Sequence, residues 1–200
     1  MGKWKEGNAF MTEQLPRETA LLIIDVQNAI DEPVWSRYGE RNHPRAELRM
    51  AEILQKWRAS GRPVFHIKHE SRQVNSSYRP GQAGCDFKEC VTPQVGETIV
   101  IKHVNNAFIG TDLESRLKEK GIAVLVIFGV ITNNSVEAMV RMAGNLGFKT
   151  YLVEDACFTF AQPDYAGRLR TAAEVHAMSL ANLDGEYCAV VGTAELLRML

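Results

Sequence analysis

Ala20-Leu21-Leu22-Ile23-Ile24-Asp25-Val26-Gln27 is the stretch that decides the fold. Five apolar residues run without interruption and stop at a carboxylate. A strand with one face in water alternates apolar and polar side chains. An unbroken run suits a strand covered on both faces, as in a parallel sheet. The theme recurs in Pro63-Val64-Phe65-His66-Ile67, Thr98-Ile99-Val100-Ile101, Ala123 to Phe128, Thr150-Tyr151-Leu152-Val153 and Tyr187 to Val191.

Helical signals lie between these runs. Met50, Ile53, Leu54 and Trp57 make one apolar face, closed by Gly61 and Pro63. Thr111-Asp112-Leu113-Glu114 reads as a capping box, with Leu113 and Leu117 facing inward and Gly121 at the end. Val136, Val140, Ala143 and Gly147 keep helical spacing, as do Leu169, Ala173, His176 and Leu180. Strand–helix alternation predicts a three-layer α/β/α sandwich around a mostly parallel sheet of about six strands. The stretch 69–97, rich in Gly, Pro and Ser, is too long for a plain connection and reads as an active-site flap.

Composition bounds the partners. The 200 residues carry 23 basic and 24 acidic side chains, a net charge of −1, so no surplus draws the chain to nucleic acid or an anionic membrane. The hydrophobic share is 46% and the charged share 24%, as in ordinary globular domains. No stretch approaches the ~18 apolar residues of a membrane span. Residues 1–18 hold Lys3, Lys5, Glu6, Glu13, Arg17 and Glu18 with no apolar targeting core, and read as a mostly solvated arm ahead of one domain over 19–200. Cys85, Cys90, Cys157 and Cys188 fit neither a disulfide framework nor a zinc-finger spacing, which suggests reduced thiols and a cytoplasmic location.

In an open parallel sheet, ligands bind beyond the carboxyl ends of the strands. The residues that end the apolar runs are therefore the candidates: Asp25 and Gln27; His66, Lys68 and His69; Lys102 and His103; and the turn Gly129-Val130-Ile131-Thr132-Asn133-Asn134-Ser135. A carboxylate, an ammonium and a hydroxyl at three strand ends can meet in one crevice. There Asp25 would act as general base and Lys102 would stabilise developing negative charge, with backbone amides at the helix start as an oxyanion hole. The plainer account makes Asp25 and Lys102 a structural ion pair and Ser135 an ordinary first-turn residue. A dinucleotide fold is disfavoured, because Asp25-Val26-Gln27 stands where Gly-x-Gly-x-x-Gly would follow the first strand.

Leu22-Ile23-Ile24-Asp25-Val26-Gln27, then Ile101-Lys102, then Gly129 through Val136 resemble the isochorismatase-like cysteine hydrolase superfamily, over about residues 19–197. Val153-Glu154-Asp155-Ala156 and Glu174-Val175-His176-Ala177 also fit. The resemblance implies a doubly wound α/β fold, an Asp–Lys–Cys triad and cleavage of small amides or related C–N bonds. It makes Asp25 the base, Lys102 the triad lysine and Val130–Ile131 a non-proline cis peptide, with the amides of Ile131 and Ser135 as oxyanion donors. It also implies homodimers or homotetramers.

Two departures matter. Ser135 stands where the family places its nucleophilic cysteine, and a hydroxyl needs a competent base where a thiol does not. Three accounts stay open: an introduced replacement of a natural cysteine, a natural site using serine or non-covalent acid–base chemistry, or a site that binds without turnover. Isochorismatases proper also lack the cysteine and protonate a vinyl ether through the Asp. Cys157 as a substitute nucleophile competes with a plain buried thiol. Second, His66, His69 and Glu70 lack the Asp-x-His spacing of the metal-binding nicotinamidases, so neither a catalytic metal nor a cofactor is expected. His176 reads as a core histidine, and His103 as facing away from the pocket. Gln27, Trp35, Arg79, Asn106, Phe108 and Asn134 are the candidate substrate contacts, Arg79 for a carboxylate; Trp35 and Phe108 equally suit a subunit contact. The expected activity is metal-independent hydrolysis of a small polar metabolite at an amide, C–N or vinyl-ether bond. The alternative is a catalytically silent binding protein of the same fold.

Overall fold

A computed structural model describes residues 14–200. The first strand, β1 (Ala20–Ile24), is buried along its whole length. It lies between β2 (Val64–His69) and β4 (Val124–Val130), parallel to both. With β3 (Thr98–Lys102), β5 (Lys149–Phe158) and β8 (Ala189–Val191) these make a six-stranded, all-parallel sheet in the order β3-β2-β1-β4-β5-β8. A separate two-stranded hairpin pairs β6 (Gln162–Pro163) with β7 (Leu169–Arg170). The strand order reverses between β1 and β4, so the crevice beyond their carboxyl ends is the expected ligand position.

Each run of apolar residues became a strand for the reason given by its burial. Central β1 and β4 are buried throughout, whereas edge strand β3 alternates, with Ile99 and Ile101 exposed and Val100 and Lys102 inside. That alternation turns Lys102 into the protein and His103 out of it.

The flanking helices are α1 (Ala46–Ala59), α2 (Leu113–Glu119), α3 (Glu137–Asn145), α4 (Ala172–Leu183) and α5 (Thr193–Arg198). Met50, Ile53, Leu54 and Trp57 are the buried face of α1, as their spacing predicts. Two expectations change. The capping box at Thr111–Glu114 does not form: Thr111 Oγ1 bonds Ala107 O and the Leu113 amide, and Glu114 pairs with Lys118 at 2.5 Å instead of reaching back. The box forms at Thr171–Glu174, where Thr171 Oγ1 accepts from Glu174 N at 3.2 Å and Glu174 Oε2 accepts from Thr171 N at 2.7 Å. Consequently α4 begins after Leu169, which lies in the hairpin and is exposed. Its buried face is Ala172, His176, Ser179 and Leu183.

Residues 1–13 of the expected solvated arm lie outside the described residues. Of the rest of that arm, Gln14 and Pro16 to Glu18 are exposed and Leu15 is the anchor: it is buried, its amide donates to Met199 O at 2.8 Å, and Arg62 Nη2 donates to Leu15 O at 2.9 Å.

Candidate active site

The sequence at the end of β1 forces the site into shape. Asp25 carries a left-handed φ of +53°, a conformation that a short polar side chain tolerates better than most. Its amide still continues the ladder to Ile67 O at 3.0 Å, so the chain turns out of the sheet at that point. Opposite, Gly129 has φ +146°, and a Cβ there would stand 2.2 Å from Ile24 O. Only glycine lets β4 approach β1 this closely, and the approach sets the distance between Asp25 and the turn after β4.

That turn, Thr132–Val136, is a single π-helical turn ahead of α3, and the Val130–Ile131 peptide is cis. Ser135 is buried within it. Lys102 is 0% exposed and crosses beneath the end of β2. Its Nζ donates to Asp25 Oδ2 at 2.7 Å, to Val104 O at 3.2 Å and to Ser135 Oγ at 3.3 Å. The three strand-end residues therefore meet in one cluster with the ammonium in the middle. Asp25 Oδ1 is buried and, among the described residues, has no hydrogen-bond partner.

A cleft of about 210 Å³ opens over this cluster. Asp25, Val130, Ile131, Asn134 and Ser135 form its floor, and Trp35, His69, Ser71, Ser76, Tyr78 and Asn105 form its walls and rim. The first part of the 69–97 segment, residues 69–78, thus supplies one wall. Tyr78 packs edge-on to Trp35 and to His69, with ring centroids 6.4 and 5.6 Å apart. Burial, and then the Lys102 charge, hold His69 below the usual imidazole range, while burial and the Asp25 charge push the Tyr78 hydroxyl up. Both groups are therefore neutral near pH 7, and among the described residues His69 Nδ1 has no hydrogen-bond partner.

Several candidates lie elsewhere. Gln27 is fully buried and acts as a clamp: its Nε2 donates to His69 O and Cys85 O at 2.9 and 2.8 Å, and its Oε1 accepts from His69 N at 2.8 Å. Asn106 is used internally, donating to Ala138 O at 2.8 Å, and its neighbour Asn105 is the one at the cleft, donating to Asn134 Oδ1 at 2.7 Å. Phe108 stacks on Phe148 at 5.9 Å. Arg79 is exposed and donates to Val74 O at 3.2 Å. None of Gln27, Arg79, Asn106 and Phe108 lines the cleft. Of the wall residues, His69 is one of the strand-end candidates, whereas Ser71 and Ser76 are signalled only by the length of the flap.

Cys157, His66, Glu97 and His103 lie outside the cleft. Cys157 lies within β5, wholly buried, and burial pushes its thiol up to about 12, so it is no substitute nucleophile. His66 is held below its ordinary range by burial and bonds Glu97 at 2.8 Å. Burial alone would raise the Glu97 carboxyl; Arg58, bonded through two nitrogens at 2.7 and 2.8 Å, outweighs it and holds the group at about 2. His103 faces outward, bonded to Glu70 O at 2.7 Å. A larger groove, about 820 Å³, runs along α4 beside the β6–β7 hairpin and contains none of Asp25, Lys102 or Ser135.

A switch-point cleft over a buried acid–ammonium–hydroxyl cluster defines a doubly wound α/β protein built for small molecules. The chain belongs to the isochorismatase family, a family of hydrolases: the isochorismatase domain matches residues 19–195. The isochorismatase family protein YrdC of Bacillus subtilis is 40% identical over 183 residues, covering 92% of this chain and 96% of its own. A crystal structure of an isochorismatase-family protein from Chromobacterium violaceum is 56% identical, with a TM-score of 0.90 over 94% of this chain and 95% of that one. More distantly, the ureidoacrylate amidohydrolase RutB of Azorhizobium caulinodans is 25% identical over 180 residues, 74% of this chain and 79% of its own.

Proposed function

We propose that the chain hydrolyses a small polar metabolite at an amide or related C–N bond, or at a vinyl ether, through Asp25, Lys102 and Ser135 and without a catalytic metal. The observation that carries this reading is the Lys102 ammonium, buried between Asp25 Oδ2 and Ser135 Oγ at the cleft floor. A cation there stabilises negative charge developing on a substrate oxygen or on the 135 side chain, in a site with little water. The amides of Ile131 and Ser135, both at the cleft, are the oxyanion donors of this reading. Asp25 exchanges the proton. In amide cleavage it takes a proton from the attacking oxygen, that of a water or of Ser135, and gives it to the departing nitrogen. Where Ser135 attacks, a water activated in the same way then cleaves the acyl-enzyme; in vinyl-ether cleavage Asp25 protonates the substrate carbon and water completes hydrolysis. Trp35 and Asn134 contact the substrate. Metal independence is supported by the donor set: among the described residues no three metal-ligating side chains converge on the cleft. The amidohydrolase relative supports the amide class.

One observation favours the silent-binding reading: Ser135 Oγ accepts from Lys102, and among the described residues no hydrogen bond joins it to a carboxylate. Ser135→Cys separates the two. A thiol beside an ammonium ionises at lower pH and needs no base of its own. Turnover of a panel of small amides should rise at least about tenfold in Ser135→Cys, and Asp25→Asn in that background should abolish it. No gain in turnover, with ligand binding indifferent to Asp25→Asn, refutes the enzymatic reading.

The reading extends to a reducing, cytoplasmic setting, supported by four free cysteines, and to a homodimer or homotetramer, supported by Leu169 and Met178 exposed beside the α4 groove. Among the described residues no helix is long and apolar enough to cross a membrane.

A further inference from the structure

Two stretches that fit the family have no part in the cleft: Val153-Glu154-Asp155-Ala156 and Glu174-Val175-His176-Ala177. The fold brings one residue of each together. Between the pairs Ile127–Leu152 and Gly129–Cys157, residues Val153 to Ala156 of β5 stand opposite Phe128 alone. This bulge takes Glu154 off the ladder, and its carboxylate meets His176 from α4. His43, from the loop before α1, joins them. It holds a left-handed φ of +48°, rare for a side-chain-bearing residue, and its loop is pinned because Asn42 exchanges bonds with Thr159, N to O at 3.2 Å and Oδ1 from N at 2.8 Å.

The donor atoms converge. His43 Nε2 lies 3.6 Å and His176 Nε2 3.9 Å from Glu154 Oε2, and the three residues' ligand atoms all fall within 4.8 Å of one another. His176 is only 4% exposed, and its Nε2, aimed at this carboxylate, has no hydrogen-bond partner among the described residues. Its other nitrogen, Nδ1, sits 2.8 Å from Thr132 Oγ1. With the Nδ1 proton given to Thr132, the lone pair of Nε2 points into the cluster, which is how a histidine is oriented as a metal ligand.

We propose that His43, Glu154 and His176 form a binding site for one divalent transition-metal ion of the zinc type, separate from the catalytic cleft. Two imidazole nitrogens and one carboxylate oxygen suit zinc and its neighbours, not magnesium or calcium, which prefer all-oxygen sets. Ligands about 2.0–2.1 Å from a tetrahedral ion stand about 3.4 Å apart, so two of the separations already come close. The third closes by movement of His43, whose side chain is 31% exposed. That exposure, with 35% for Glu154, leaves an entry path and a fourth position open to water. The bound ion would staple the 42–43 loop to α4 and, through Thr132, to the turn that carries Ser135.

The test is a zinc titration of the chelator-stripped full chain, read by calorimetry and by thermal unfolding. One equivalent should bind with micromolar or tighter affinity and raise the unfolding midpoint. His43→Ala and Glu154→Gln should each weaken binding at least about tenfold and remove the midpoint shift, and Thr132→Val should weaken it about tenfold through loss of the orienting bond. His43→Ala changes a partly exposed loop residue, so an unaltered zinc-free midpoint separates loss of the site from loss of the fold. His69→Ala should leave zinc affinity unchanged. Absence of saturable one-equivalent binding, or binding that survives His43→Ala and Glu154→Gln, or binding abolished by His69→Ala, overturns the proposal.

Discussion

Lys102→Met is the sharpest probe of the buried cluster. The ammonium is fully buried and is the partner of Asp25 Oδ2 at 2.7 Å, while Asp25 Oδ1 has none among the described residues. Methionine keeps much of the length and apolar stem of lysine but leaves a buried carboxylate with nothing to pair with. Removing one member of a buried pair typically costs about 3–5 kcal/mol, most of it the desolvation of the charge left behind. Against a total stability of roughly 5–15 kcal/mol this is a large fraction. Asp25→Asn alone strands the ammonium instead, softened by Val104 O and Ser135 Oγ, and should cost less. The double variant Asp25→Asn/Lys102→Met removes both charges from a site of unchanged volume. It should therefore recover at least about 2 kcal/mol relative to Lys102→Met, a coupling within the range for contacting residues. Urea unfolding of the four proteins, with equal slopes required, measures the cycle. If Lys102→Met costs under about 1 kcal/mol, or the double variant is no more stable than Lys102→Met, the pair is not held as a desolvated unit.

Two further outcomes follow from the same structure. Gly129→Ala places a Cβ 2.2 Å from Ile24 O at a φ of +146°, so β1 and β4 must separate; about 3 kcal/mol or more of stability should be lost, and a loss under about 1 kcal/mol in chemical denaturation contradicts the close approach. The Glu97 carboxyl, held at about 2 against an ordinary 4.5, has a depressed folded value, so its stabilisation is present above pH 4.5 and is lost as pH falls toward 2. It amounts to at most ~3 kcal/mol, discounted for its partial exposure, and Glu97→Gln should flatten that part of the acid limb of stability against pH.

The sheet could be read from the chain because its central strands are covered on both faces, and coverage writes itself as unbroken apolar runs in β1 and β4. The cluster was legible for a related reason: Asp25 and Lys102 are the polar residues at which such runs end, and the alternation of β3 decides that Lys102 and not His103 turns inward. What could not be read depends on contacts distant in sequence. Gln27 has the position of a substrate contact, but its amide is consumed by His69 and Cys85, 42 and 58 residues away. Whether Asn105 or Asn106 faces the cleft depends on the path of an irregular turn, which no periodicity encodes. Thr171-Ala172-Ala173-Glu174, in contrast, carried a usable capping signal, and the start of α4 follows from it.

The position of the ammonium bears on which chemistry the serine permits. Lys102 stands between Asp25 and Ser135, so the carboxylate's bonded oxygen faces the lysine and not the hydroxyl. A thiolate at position 135 would use that arrangement directly, because its charge would be stabilised by the ammonium at no cost in proton transfer. A hydroxyl gains little from it: a cation donating to Oγ favours the alkoxide, but the high intrinsic pKa of an alcohol still demands a base in contact. Asp25, by contrast, lines the cleft and retains an oxygen with no partner among the described residues. Within the hydrolase reading, the serine therefore shifts the weight of catalysis from covalent attack toward proton exchange between Asp25 and the substrate or water. Ser135→Ala should accordingly cost far less activity than Asp25→Asn. A Ser135→Ala variant as inactive as Asp25→Asn, with an acyl-enzyme trapped in the parent protein, would return the hydroxyl to the role of nucleophile.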